Sequence, residues 1–337
     1  MIDKIINEWT YQLDTGYPTK ESDYEILRSV LQETNILSEQ EINRTILQAQ
    51  GIVQEQKQQL NERSEEYDNA IRSRLGLEPG QEIPQVEGNY VLNAGPINLQ
   101  PEDAKIVKIL WPENLDSSII GKGEIAIYWL YQYQNPPKDT VDLRGDDNPD
   151  LNIDGSNAEV KSYKSHRERI SLGRFGKFKE STRMISILFG IQTLTNLFTE
   201  DRKVYSLNSF SSKDLIKSFT SLQLLDNLSG KQELMAQFPI FKTMYEQINE
   251  LKTQLNLQDG YTATEGAAAI LKRLLFEKFK IKPGNNGYII NLTPKDPSDI
   301  YAFEVDLEAI DDETMLKNVT VSGAAIEVNY NALFGKG

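Results

Sequence analysis

The 337-residue chain contains no cysteine and a single histidine, His166. The first absence excludes disulfides and thiolate metal sites. The second excludes zinc sites built from several histidines and any HNH-type site. A run of about 18 apolar residues is also missing, so no transmembrane helix is expected. The opening MIDKIINEWTYQLD is acidic and has no apolar stretch followed by small residues, so no signal peptide is expected. A bacterial or phage cytoplasmic setting fits these absences. Positive charge is in deficit: 36 Lys and Arg stand against 50 Asp and Glu, a formal net charge of −14. That is a poor whole-protein footprint for non-specific DNA binding.

The charge is unevenly spread. From Lys161 to Arg183 eight basic residues face only Glu168 and Glu180, a local net of +6. The length suits two domains, or one core with large additions. Residues 1–75 are expected to be helical: Ser22–Glu33 carries apolar residues near helical spacing, and Ser38 with Glu41 forms a capping-box pattern. The Gln- and Glu-rich helix that follows has a thin apolar stripe. It needs a partner, either its own N-terminal domain or an outside surface such as a homo-oligomer. Residues 76–100, rich in Gly and Pro, are expected to link two domains.

Residues 101–200 are expected to form an α/β core. DAKIVKILW suits a strand or a short helix, and GKGEIAIYWLYQYQ a helix with Glu124 in its first turn. Thr182–Phe198 suits a buried helix. Residues 201–280 are expected to be mostly helical, with Leu215–Leu228, Lys231–Leu255 and Thr264–Phe279 as segments. GYIINL, DIYAFEVDL and NVTVSGAAIEVNY alternate with period two and should be strands.

The chemistry concentrates in NPDLNIDGSNAEVKSY, Asn148 to Tyr163. Asp150–Ile153 is expected as one strand, Asp154–Asn157 as a turn signalled by Asp-Gly, and Ala158–Tyr163 as the return strand. Glu159 and Lys161 then share a face, with Val160 on the other. Pairing brings Asp150 alongside them. Two carboxylates on rigid strands suit Mg²⁺ or Mn²⁺. Asp154, at the far end of the turn, is the weaker alternative to Asp150. A Glu-x-Lys triplet alone is unspecific, since Glu55-Gln56-Lys57 also has it. The plain alternative is a solvated hairpin with ion pairs worth about 0–1 kcal/mol.

This Asp-x8-Glu-x-Lys pattern, with Pro149 before the Asp, resembles the PD-(D/E)xK nuclease superfamily. The resemblance implies a restriction-endonuclease-like mixed-sheet core, α+β or α/β. Around that core stand the helical N-terminal domain and a helix-then-strand region, 201–337, which either completes the core or forms a docking domain. It implies a metal-dependent DNA hydrolase. Asp150, Glu159 and Glu124 would act on Mg²⁺ or Mn²⁺, and Lys161 would position water or stabilise the transition state.

The order GKGE, Asp strand, EVKS and SLGRFGKF looks like nuclease-like proteins of large tailed phages, and INEWTYQLDTGYP looks like a segment of marine phage proteins. The resemblance therefore also implies host cytoplasm or virion as the location, and head or neck proteins as partners. The alternative function is a virion structural or assembly protein with a nuclease-like fold.

Lys164, Arg167, Arg169, Arg174 and Lys177 are the expected DNA-backbone contacts, with Gly173 and Gly176 allowing close approach and Phe175 and Phe178 stacking on bases or anchoring the segment. The alternative is a solvated basic loop. Glu124 has its own plain alternative, a carboxylate favoured by the helix dipole. His166 is either a proton-transfer aid or an ordinary loop residue.

Overall fold

The computed structural model describes residues 21–33, 37–111, 120–143, 149–163, 169–174, 178–197, 211–280, 287–322 and 325–334. Two helices open the described chain, α1 (Glu21–Glu33) and α2 (Glu39–Leu75). Ser38 and Glu41 close the expected capping box on α2, and Gly76 ends it in the left-handed conformation. Leu27 and Leu31 of α1 meet Ile42, Ile46 and Ala49 of α2 in a small core. Further along α2, Tyr67 and Ile71 enter a second, larger core.

The Gly- and Pro-rich segment 76–100 is packed against the body of the protein, in contrast to the linker expected there. Ile83, Val86 and Tyr90 are buried. The fully buried Asp103 of α3 (Pro101–Leu110) accepts hydrogen bonds from the Glu87 and Gly88 amides at 2.9 Å and from the Tyr90 hydroxyl at 2.7 Å. These donors satisfy the buried carboxylate and fasten the segment. Gly95–Ile97 forms the strand β1. Turn-rich composition marks irregular backbone, and it does not mark exposure.

The chain continues through α4 (Lys122–Gln132), β2 (Thr140–Asp142), β3 (Leu151–Ile153), β4 (Ser156–Ser162) and β5 (Ile170–Arg174). Next come α5 (Lys179–Leu197), α6 (Ser212–Asp226), α7 (Lys231–Gln237), α8 (Pro239–Gln254) and α9 (Ala263–Phe279). The single helix expected over Lys231–Leu255 is divided at Phe238, because Pro239 has no amide hydrogen to donate and pushes the residue before it out of helical geometry. The chain ends with β6 (Gly287–Thr293), β7 (Asp296–Val305), α10 (Asp312–Asn318), β8 (Val319–Ser322), β9 (Ala325–Val328) and α11 (Tyr330–Phe334). No helix among the described residues is long and apolar enough to cross a membrane.

The fold is mixed α+β. One sheet has the order β1-β7-β6-β4-β3-β2, and a smaller one has the order β5-β9-β8. In the larger sheet β4 and β6 run parallel and every other pair is antiparallel. A parallel neighbour requires a crossover, here the chain between Ser162 and Gly287. Strands β6 and β7, from the C-terminal third, therefore complete the sheet that carries the hairpin.

β6 is buried along its whole length, as a central strand covered on both faces must be. Its residues alternate between two cores: Tyr288, Ile290 and Leu292 face α4, whereas Ile289 joins the core containing α5, α6, α8 and α9. The hairpin sits in the middle of this sheet, so both of its faces are covered.

Candidate active site

Asp154 and Gly155 both have positive φ, 48° and 84°. Two such residues make the tight turn whose twist matches the strands, and Asp-Gly adopts it at little cost. The turn is shorter than expected. Ser156 and Asn157 already belong to β4, with Ile153 opposite Ser156 and Leu151 opposite Ala158. Continuing that register sets Asp150 across from Glu159. Asp150 itself lies just before β3, where its carbonyl accepts a 3.1 Å hydrogen bond from the Leu143 amide. Its carboxylate Oδ2 accepts one of 2.7 Å from the Val160 amide. Side chain thus replaces backbone as the partner at the end of the ladder.

Three of the four expected catalytic groups converge here. The Lys161 ammonium pairs with Glu159 and lies 3.8 Å from Asp150 Oδ2. Val160 points to the opposite face and packs in the α4 core. Glu159 retains only 2% exposure. Asp154 lies outside this group, paired with Lys138 at 3.1 Å.

Glu124, the fourth group, approaches from the other side of the sheet. It is the third residue of α4, and its Oε2 lies 3.5 Å from the Tyr67 hydroxyl. Gly121 and Gly123 explain the GKGE motif. A Cβ on Gly121 would stand 2.3 Å from Glu124 Oε1, so glycine leaves room for the carboxylate to fold back over the helix start. A Cβ on Gly123 would stand 3.0 Å from Val160 Cγ1 and 3.2 Å from Leu292 and Trp111. Glycine there lets α4 lie directly on β4. Between them opens a cleft of about 160 Å³, lined by Trp111, Gly121–Glu124 and Val160–Ser162. Glu124, Lys122 and Lys161 are the charged groups at its walls.

Burial, followed by the charge of Glu159, raises the Asp150 pKa from 3.8 to about 6, against the pull of Lys161, Lys278 and the Val160 amide. For Lys161, burial works against the ammonium. Glu159 foremost, then Asp150 and Glu124, outweigh burial and raise its pKa. Lys161 is therefore a fixed cation at any working pH and cannot serve as a general base. Its chemistry is electrostatic.

Two residues close to this group carry no sequence motif. Lys278, in the last turn of α9, sits with its Nζ 2.7 Å from Glu159 Oε2. It is held there by the hairpin itself: Asn157 Nδ2 donates to the Phe279 and Lys280 carbonyls at 2.8 and 3.0 Å. The signal in the sequence was a lysine interrupting an apolar stripe. Leu271, Leu274, Leu275 and Phe279 are buried on α9, and Lys278 stands among them at i+7 from Leu271.

Tyr330 of α11 is the second. It is fully buried and its hydroxyl has no hydrogen-bond partner among the described residues. Burial first, then the charges of Glu159 and Asp150 with Tyr163 between them, holds the phenol protonated. An unpaired buried hydroxyl costs about 1–3 kcal/mol. Tyr330→Phe is accordingly expected to leave stability unchanged or raise it by about 1 kcal/mol in urea unfolding. A loss above that size would reveal a hydrogen bond made by this hydroxyl.

Of the expected DNA contacts, Arg169 is exposed and donates to Thr320 Oγ1 at 2.9 Å, and Arg174 closes β5. Lys164, Arg167 and Lys177 lie outside the described residues, as do His166, Phe175, Gly176 and the INEWTYQLDTGYP segment. Phe178 is buried in the helical core and so anchors its segment. No cluster of three or more His, Asp or Glu side chains among the described residues is arranged to hold a metal ion. Comparison with protein-family models, curated proteins and solved structures finds no match.

Proposed function

We propose that this chain is a metal-dependent DNA phosphodiester hydrolase of the PD-(D/E)xK type. One observation carries the reading: Asp150, Glu159 and Lys161 meet at the centre of a mixed sheet, with the Asp150 carboxyl titrating near 6 because it is buried beside a second carboxylate. Perturbed carboxylates of this kind concentrate at functional sites. Glu124 and the adjoining cleft fit the same reading.

The donor set suits Mg²⁺ or Mn²⁺. Asp150 and Glu159 supply hard oxygen ligands, and a carboxylate whose ionisation is opposed by its neighbour is one that a divalent cation would stabilise. When bound, such an ion supplies positive charge to the attacked phosphate and a more acidic water. Lys161 adds a permanent charge where the phosphorane-like transition state becomes more negative. Glu124 faces the same cleft from the start of α4 and orients groups entering it. Arg169 and Arg174, with Lys164, Arg167 and Lys177 in the same basic segment, would hold the DNA backbone.

The test is cleavage of supercoiled and linear DNA with Mg²⁺ or Mn²⁺, comparing wild type with Asp150→Asn. Metal-dependent cutting by wild type alone is expected. A folded wild type that cuts no DNA form, or a variant that cuts equally well, would overturn the assignment.

A second reading rests on Ile26, Val30 and Leu47. These are 51%, 39% and 67% exposed on the α1–α2 pair although that pair already has its own small core. Such a surface suits assembly with copies of itself or with phage head or neck proteins, in the host cytoplasm or in the virion, on a nuclease-like fold. Sedimentation of Leu47→Asp against wild type addresses it: a wild-type oligomer that the variant loses supports assembly through this surface.

A further inference from the structure

The carboxylates of the site are neutralised from two sides. Lys161 comes from the same strand as Glu159. Lys278 comes from α9, 119 residues later in the chain, and closes on the opposite carboxylate oxygen at 2.7 Å. Lys278 is itself buried, and α9 is fixed over the hairpin by the two hydrogen bonds from Asn157. Removing a lysine from water is unfavourable unless its charge is matched, so this residue is placed at a cost that a surface pair would not require.

The consequence lies in the charge count. Asp150 and Glu159 contribute two negative charges and Lys161 and Lys278 two positive ones, a formal net of zero, and Glu124 with Lys122 adds an opposed pair at the cleft. One divalent ion takes the group to +2. Two would take it to +4 in a partly buried setting, where repulsion between like charges is poorly screened. We propose, building on the hydrolase reading above, that Lys278 is a positioning residue that stands in for a second metal ion, so that the site loads a single divalent cation. Its ammonium lies 2.7 Å from Glu159 Oε2 without hydrogen-bond geometry, so the pairing is one of charge.

Mn²⁺ binding to the full chain, followed by calorimetry and by the electron paramagnetic resonance signal of the free ion, tests this without recourse to activity. Wild type is expected to bind one Mn²⁺. Lys278→Gln is expected to bind Mn²⁺ at least tenfold more tightly or to take up a second ion, because a competing cation is gone. Lys278→Arg keeps the charge and is expected to retain the single ion with affinity within about threefold of wild type. If the Gln variant fails to fold, the Arg variant and the wild-type stoichiometry still decide the question.

Two ions in wild type would overturn the proposal while leaving the hydrolase reading intact. So would a folded Lys278→Gln that binds a single ion with unchanged or weaker affinity, or a second ion in Lys278→Arg. No Mn²⁺ bound by wild type or by either variant would overturn both. Asp150→Asn, measured beside them, shows whether any bound ion belongs to this site.

Discussion

Asp150→Asn is expected to stabilise the protein at neutral pH while abolishing metal-dependent cleavage. The folded state holds this carboxyl near 6, against 3.8 for the free side chain. A folded-state pKa raised above the unfolded one means that the native state binds the proton more tightly. The resulting penalty is absent below about pH 4, grows between 4 and 6, and is complete above 6. At about 1.4 kcal/mol per pKa unit, it reaches about 3 kcal/mol. Asparagine removes the charge and keeps an oxygen that can accept from the Val160 amide, so most of the penalty is relieved.

Urea unfolding in chelator should therefore show Asp150→Asn ahead of wild type by about 2–3 kcal/mol at pH 7.5, with the gain vanishing near pH 4. A variant less stable than wild type at pH 7.5 would contradict this. Stability gained where activity is lost is the signature of a site that carries strain for function.

Lys161→Met should have the opposite effect on stability and the same effect on cleavage. Methionine preserves the apolar stem but leaves Glu159, almost wholly buried, with Lys278 alone, and leaves Asp150 without its nearby ammonium. Removing one partner from a buried pair typically costs about 3–5 kcal/mol. With Lys161 partly exposed at the cleft, about 3 kcal/mol is expected at pH 7.5. The raised pKa of Lys161 fixes the alkaline side: its contribution is complete below the ordinary lysine value of 10.5 and is lost only as pH rises through the higher folded value. On the acid side the cost should shrink as Asp150 takes up its proton.

The double variant Asp150→Asn/Lys161→Met should therefore lose less than Lys161→Met alone, because the two groups share one charge cluster. Equilibrium unfolding of the four proteins at pH 7.5 measures this coupling. Strict additivity would mean that the two side chains do not interact.

Much of the local structure was legible in the chain. The capping box at Ser38 and Glu41, the Asp154-Gly155 turn, the alternation that turns Val160 away from Glu159 and Lys161, and the helix carrying Glu124 all depend on neighbours a few residues apart. Backbone preferences and side-chain period decide such features directly. Ser156 and Asn157 have turn chemistry, yet strand pairing claims them, so the turn is two residues shorter than its composition suggests. The break at Phe238 is legible in Pro239, although the helical pattern runs on across it.

The sequence by itself thus determined the hairpin, its three charged groups and the direction each one faces, since these follow from short-range geometry. Only the tertiary structure decided that segment 76–100 is packed, that β6 from the far end of the chain runs beside β4, and that Lys278 closes on Glu159. Asp103 holds that segment through groups 13 to 16 residues away, and Lys278 is reached only after a crossover of helices. Contacts at such separation are chosen by burial and charge matching over the whole core, and no local pattern encodes them.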